Sequence, residues 1–382
     1  MNVLSAIKPK VVLAAIVLYA VATGVSFVSF KTFLKNTSSI STPFGKLSLA
    51  DATSGADTGV KDQPCPLNGV MYSKDRKNTW DQRRPLAVMV ENHTDARPVI
   101  GLSRADVIYE AVAEGGITRH MAVFLCQDAG DIAPIRSART YFIDWLSEYN
   151  ALYSHVGGAN NSGGDINPKA DALGQIRQYG IDDMDQFYFS FPTYWRGTDK
   201  LAPHNVHSTT TKLWQAAKDK GWGPENDKGV RWDKNFQVWK FKDEAALDSR
   251  GDQKPIVVPF WTSQPDYTET WTYDKDNNIY KRNYGSEPAI DPLTKENLSA
   301  KDLIIQFEVE TQTHDVDGHL LYGTKGTGSA LIFMDGKVIT GKWVKNDRTS
   351  RSKFVDSKGK EIELNRGQIW ILTIPTGNTV QY

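Results

Sequence analysis

Five short polar clusters in this 382-residue chain carry residue types that can do chemistry. Glu91-Asn92-His93 sets a carboxylate beside an imidazole, and Glu114-Gly115-Gly116 leads on to Arg119. Arg136-Ser137-Ala138-Arg139 brackets a hydroxyl with two guanidiniums. His155-Val156-Gly157-Gly158 joins an imidazole to a glycine pair, and His204-Asn205-Val206-His207 has H-x-x-H spacing. Positioned carboxylates and imidazoles move protons, so Glu91, His93, Glu114 and His155 are the candidate acid–base groups. Arg119, Arg136 and Arg139 suit a carboxylate or phosphate, with Asn92, Ser137, Gly157, Gly158, His204 and Asn205 as further ligand-binding candidates.

Each group also has a plainer reading. The arginines could form an ion-pair network with Glu91, Glu110, Glu114 or Asp144, since a guanidinium is rarely buried without a partner. The glycine pairs suit a tight turn as well as a ligand loop. Glu91, His93, Asp144 and His155 could meet as mixed nitrogen and oxygen metal ligands. Single histidines beside strands more often make structural hydrogen bonds, and the zinc-protease helix signature is absent, so no metal is assigned. The sequence contains no nucleophile elbow, P-loop or dinucleotide fingerprint, and no cofactor is assigned.

The elements that must position these groups are short. Leu86–Val90, Met121–Leu125 and Ala151–Tyr153 are apolar runs of strand length, suited to burial on both faces. The intervening segments carry helical periodicity: Arg104–Ala113 with Ser103 as N-cap, Arg136–Tyr149, and Lys169–Tyr179. Polar clusters at strand ends and helix N-termini are where α/β sheets gather ligands. Phe187–Trp195 predicts a strand with a turn at Pro192, and Thr211–Lys220 a helix capped by Ser208 or Thr209. From about Val230 alternating patterns dominate, around Trp271, Ile279–Tyr284, Leu303–Val309, Ala330–Met334 and Val338–Trp343. Turn signals punctuate them at Asp274–Asn278, Asp335-Gly336 and Asp356–Gly359. The expected fold class is α+β overall: an α/β domain with a mixed sheet and flanking helices over residues 64–229, then a β-rich, mostly antiparallel domain over residues 230–382.

Composition narrows the partners. With 45 basic and 45 acidic residues the net charge is zero, which argues against a nucleic-acid surface. Seven of the eleven Trp fall between Trp195 and Trp271, as core filling or as a sugar-stacking surface. After a tail over residues 1–10, Val11–Phe30 is uncharged and long enough to span a bilayer. A retained single-pass anchor is expected rather than a cleaved signal, because no good cleavage site follows. Residues 31–63 read as a flexible linker of about 30 Å reach. The two cysteines, Cys65 and Cys126, are either isolated thiols or one disulfide. The disulfide is the reading adopted, and it implies an oxidising compartment.

Several of these motifs are familiar together. PLAVMVENHTDARPVIGLSRADVIYEAVAEGGITR, APIRSARTYFIDW, YSHVGGAN and APHNVH resemble the YerB-like family of bacterial envelope lipoproteins. So do TYDKDNNIYKRNYGSEPAIDPLTKENLSAKDLIIQ and GSALIFMDGKVITGKWVKNDRTSRSKFVDSKGKEIELNRGQIWILTIP. The resemblance covers roughly residues 85–375 and implies a two-domain, membrane-attached protein outside the cytoplasm, without specifying a reaction. The lipid-accepting cysteine of that family is missing here, and the apolar helix stands in its place. The expected function is binding of a cell-wall glycan or anionic polymer in the Arg/His/Glu pocket of the first domain. A cell-wall hydrolase or transferase and a purely structural module are the alternatives. On the β side, Asp291, Arg348 and Arg351 are the polar residues most able to share such a site.

Overall fold

A ten-stranded sheet runs through both halves of the chain, and its centre is the last strand to be made. The computed structural model describes the backbone of Ser39–Thr42 and Gly45–Ser48, and residues 57–382. The strands that matter here are β1 (Leu86–Glu91), β2 (Val107–Glu114), β3 (Ile117–Phe124), β4 (Leu152–His155) and β5 (Asp183–Asp185). In the second half follow β6 (Ile256–Val258), β7 (Glu269–Asp274), β8 (Ile279–Tyr284), β9 (Asp302–Glu308), β10 (Gly326–Met334), β11 (Lys337–Lys345), β12 (Lys353–Val355) and β13 (Ile369–Pro375). The large sheet has the order β12-β11-β10-β9-β13-β2-β3-β1-β4-β5. β13, IWILTIP, lies parallel to β9 on one side and to β2 on the other. Ile369 to Leu372 are fully buried, as a central strand with both faces covered requires. Residues 57–382 therefore pack as one compact unit even though the sequence changes character midway.

β6, β7 and β8 form the core of a second, five-stranded antiparallel sheet. The fold class is the expected one: a mixed sheet in the first half and antiparallel strands in the second. The alternating runs from Trp271 onward are all strands, and Asp335-Gly336 closes the β10–β11 hairpin with both residues at positive φ. Cys65 and Cys126 form the disulfide, with Cα atoms 6.0 Å apart.

The first half departs from expectation in four places. Residues 104–113 do not form a helix; Val107–Glu114 is β2, hairpinned to β3. Burial on both faces removes the alternation that would identify a strand, while the β-branched and aromatic Val107-Ile108-Tyr109 favour one. Gly115 and Gly116, at φ of 60° and 79°, make the two-residue turn that L-residues with side chains seldom adopt. The helix expected from Arg136 begins at Thr140: α1 is Thr140–Leu146. Arg136–Arg139 is instead extended, because the Arg136 N–H donates to Met89 and the Ala138 N–H to Gly157. The strand expected at 187–195 is confined to Trp195-Arg196, and the sheet edge is β5 just before it. Lys169–Tyr179 splits into a 3-10 turn and α2 (Ala172–Tyr179). The helix near 211–220 is present as α3 (Thr210–Asp219), capped by Thr209.

Among the described residues no helix is long and apolar enough to cross a membrane. The N-terminal tail, the Val11–Phe30 anchor and most of the linker lie outside the described residues. Within the linker span, Ser39–Thr42 pairs antiparallel with Gly45–Ser48.

Candidate functional site

The polar clusters meet where β1 and β2 end and β3 begins, and they form two adjoining groups. Glu91 closes β1 and sits opposite Arg119 on β3. Its carboxylate is 95% or more buried and takes two partners: Arg136 Nε at 2.8 Å and His204 Nδ1 at 3.0 Å. The second group centres on Glu114 at the end of β2. Arg139 Nε donates to one Glu114 oxygen, and Arg119 lies 3.6 Å from the other. Arg119 also donates to the Ser137 carbonyl at 3.0 Å. The extended Arg136–Arg139 segment thus carries both groups. A helix starting at Arg136 would have turned these side chains around an axis; the extended backbone lays them along one edge.

Electrostatics favour an ionised Glu114. Burial alone would raise its carboxyl, but Arg139 and Arg119 outweigh burial and hold it below the usual glutamate range. Two guanidiniums share this one carboxylate, and a second carboxylate, Asp317, lines the cleft beside them. Burial, together with the Arg139 charge, pulls the Arg119 guanidinium down. An open cleft of about 420 Å³ borders the group, lined by Glu114, Ser137, Arg139, Gly158, Ala159, Asn160, Asp317 and His319.

Other candidates serve the scaffold. His155 is fully buried, with Nδ1 2.8 Å from the Gly157 carbonyl and Nε2 2.8 Å from Asp183. It therefore holds the Gly157-Gly158 loop rather than facing a ligand. Asp185 holds the same loop through the Gly157 N–H at 2.8 Å. Asn92 is buried and donates to Thr118 and Glu110; Asn205 bridges Arg196 and the Gly197 carbonyl. Asp144 turns to Thr324 and Lys325, so the set Glu91, His93, Asp144 and His155 does not assemble around a metal. The H-x-x-H pair diverges: His204 faces Glu91, while His207 bonds Asp131 at 2.9 Å and Asp199 at 3.1 Å.

Sequence reasoning missed the second half's share in the cleft. His319 and Asp317 come from the turn His314-Asp-Val-Asp-Gly-His319, whose dense polar spacing was the available signal. Asp315 accepts from His319 and from the Asn167 N–H at 3.0 Å, pinning this turn to the first half. Of the β-side residues, Asp291 is buried and accepts from the Gly101 and Ser103 N–H groups. Arg351 is buried against Glu148 and the faces of Trp239 and Tyr149. Arg348 donates to Ser147 and stacks on Tyr179, at a separate hollow of about 350 Å³.

A sealed counterpart lies between the two sheets. Arg282 on β8 donates to Glu269 at 2.6 Å and to Glu110 at 3.2 Å, and His120 Nε2 is 2.9 Å from Glu110. All four are at most 3% exposed. Burial raises Glu269 to about 8 although Arg282 opposes it, and burial with Arg282 nearby pushes His120 far below the ordinary imidazole range. This cluster of four joins the two sheets.

Fold and site together define a two-part α+β protein whose halves share one sheet and one polar cleft. Residues 71–223 match the model of the family described as "Protein of unknown function (DUF3048) N-terminal domain", and residues 256–371 match its C-terminal domain. The chain belongs to this YerB-like family. It is 29% identical over 327 residues to "Putative lipoprotein YerB" of Bacillus subtilis (strain 168), across 83% of this chain and 87% of that protein. A crystal structure of the YerB protein from Bacillus subtilis superposes with a TM-score of 0.69 at 26% identity, covering 84% of this chain and all of that one.

Proposed function

We propose that this is an extracytoplasmic envelope protein, tethered to the membrane through Val11–Phe30, that binds an anionic glycan or related wall polymer in the cleft beside Glu114 and Arg139. The location is supported by the name of the Bacillus subtilis relative and by the Cys65–Cys126 disulfide, a bond of oxidising compartments. The binding reading rests on one observation above all: Arg119 and Arg139 converge on the single carboxylate of Glu114 at an open cleft, so guanidinium N–H groups that Glu114 does not accept remain for an incoming anion. Phe187, 72% exposed and in line with Gly157, supplies a flat face of the kind sugar rings stack on. A hydrolase reading fits less well. A general acid needs a raised carboxyl, whereas Glu114 is held low, and both ring nitrogens of His155 are spent on the scaffold.

The test is a thermal-shift titration of wild type and Arg139→Ala with muropeptides, polyphosphate of the teichoic type and neutral chitooligosaccharides. A rise in melting temperature with an acidic ligand, lost in the variant, is expected. Equal shifts in both proteins, or none with any ligand, would overturn the reading.

A further inference from the structure

The loop after β1 and the loop carrying His204 meet over a patch that the cleft leaves unused. One potential ligand atom from each of His93, Asp95 and His204 lies within 4.8 Å of the other two. The imidazoles of His93 and His204 face each other, with centroids 5.0 Å apart and planes 24° from parallel. Their hydrogen bonds fix which nitrogens carry the lone pairs. A carboxylate only accepts, so His204 donates through Nδ1 to Glu91 and keeps the lone pair on Nε2. His93 accepts at Nδ1, 3.7 Å from Asp95 Oδ2, from the Asp95 N–H, so that hydrogen bond must open before Nδ1 can hold a cation.

We infer that His93, Asp95 and His204 form a binding site for a zinc-like divalent cation. Two imidazoles and one carboxylate are the donor set of open, three-ligand zinc sites, whose fourth position takes water or a ligand oxygen. Magnesium and calcium prefer oxygen cages, so nitrogen donors discriminate against them. The Glu91 carboxylate behind His204 is the partner that orients metal-bound histidines elsewhere. Binding requires the donor atoms to close to about 3.5 Å, as metal–ligand bonds near 2 Å dictate. Asp95 is 72% and His93 31% exposed at the side chain, so both can close once the His93 Nδ1 cap on the Asp95 N–H opens, while Glu91 holds His204 still. The site is independent of the cleft reading: neither Glu114 nor Arg139 contributes.

The test uses the untagged full chain in detergent, stripped with chelator and titrated calorimetrically with Zn²⁺, with Co²⁺ as a visible-absorption reporter. One equivalent is expected to bind, with d–d absorption of a low-symmetry site and no competition from Mg²⁺ or Ca²⁺. Asp95→Asn, which is exposed and leaves the core untouched, should weaken binding at least 10-fold, and His204→Ala should weaken it further. Absence of saturable binding by the wild type, or unchanged affinity in both variants, would overturn the assignment.

Discussion

Two arginine–carboxylate clusters stand within one sheet system, and they differ in what surrounds them. Arg282 is sealed between Glu110 and Glu269, with neither water nor ligand able to reach it. Arg119 and Arg139 share Glu114 beside a cleft. The chemistry of the pairs is the same; the role follows from access. A sealed cluster depends on its internal pairing, because removing one member strands a buried charge. An open cluster can exchange an internal partner for an external one, and its guanidinium donors select an acceptor.

The largest way to break the comparison is at the sealed end. Arg282→Met leaves Glu110 facing Glu269 and should lower unfolding free energy by about 3–5 kcal/mol in denaturant titration. Glu269→Gln should be far milder, because burial already favours the protonated carboxyl. Arg139→Ala, at the open cluster, should cost about 1–3 kcal/mol, the range for hydrogen bonds to charged groups. Equal losses for Arg282→Met and Arg139→Ala would erase the distinction.

Acidity separates the clusters more finely. Glu269 is raised from 4.5 to about 8 and Asp106 from 3.8 to about 6, both chiefly by burial. A raised folded value means stability that is complete below the unfolded value and lost as pH climbs through the folded one. Melting temperature should therefore fall from about pH 4 through pH 8, and Glu269→Gln should flatten the upper part of that slope. Glu114 behaves oppositely. Its lowered carboxyl contributes stability present above 4.5 and lost as pH falls through its folded value. Glu114→Gln should remove that acid-side loss, the smallest of these effects.

Legibility in the sequence followed burial. The second half was readable where its strands have one solvated face: β7 alternates at Trp271, and Asp335-Gly336 marks a hairpin directly. In the first half, β2 is buried on both faces and its period carries no signal, so residues 104–113 pass for a helix. The Gly115-Gly116 pair was visible there, but a ligand loop and a hairpin turn need the same positive φ. The groups around Glu91, Glu114, Arg119, Arg136 and Arg139 were legible because charged residues next to apolar runs must find partners. Asn92 and His155 look identical in sequence whether they face a ligand or a backbone carbonyl. The Arg282–Glu110 pair was out of reach because its members lie 172 positions apart, and the place of His319 in the cleft because the other lining residues belong mostly to the first half; β13 entering between β9 and β2 joins the two halves.

The measurement that tests the central claim most directly is amide hydrogen exchange of the wild type with and without the acidic ligand giving the largest thermal shift. The account predicts new protection at Arg136–Arg139, at Gly158–Asn160 and at the His314–His319 turn, with β8 and Glu110 unchanged. Protection confined to other surfaces, or none at a saturating concentration, would contradict it.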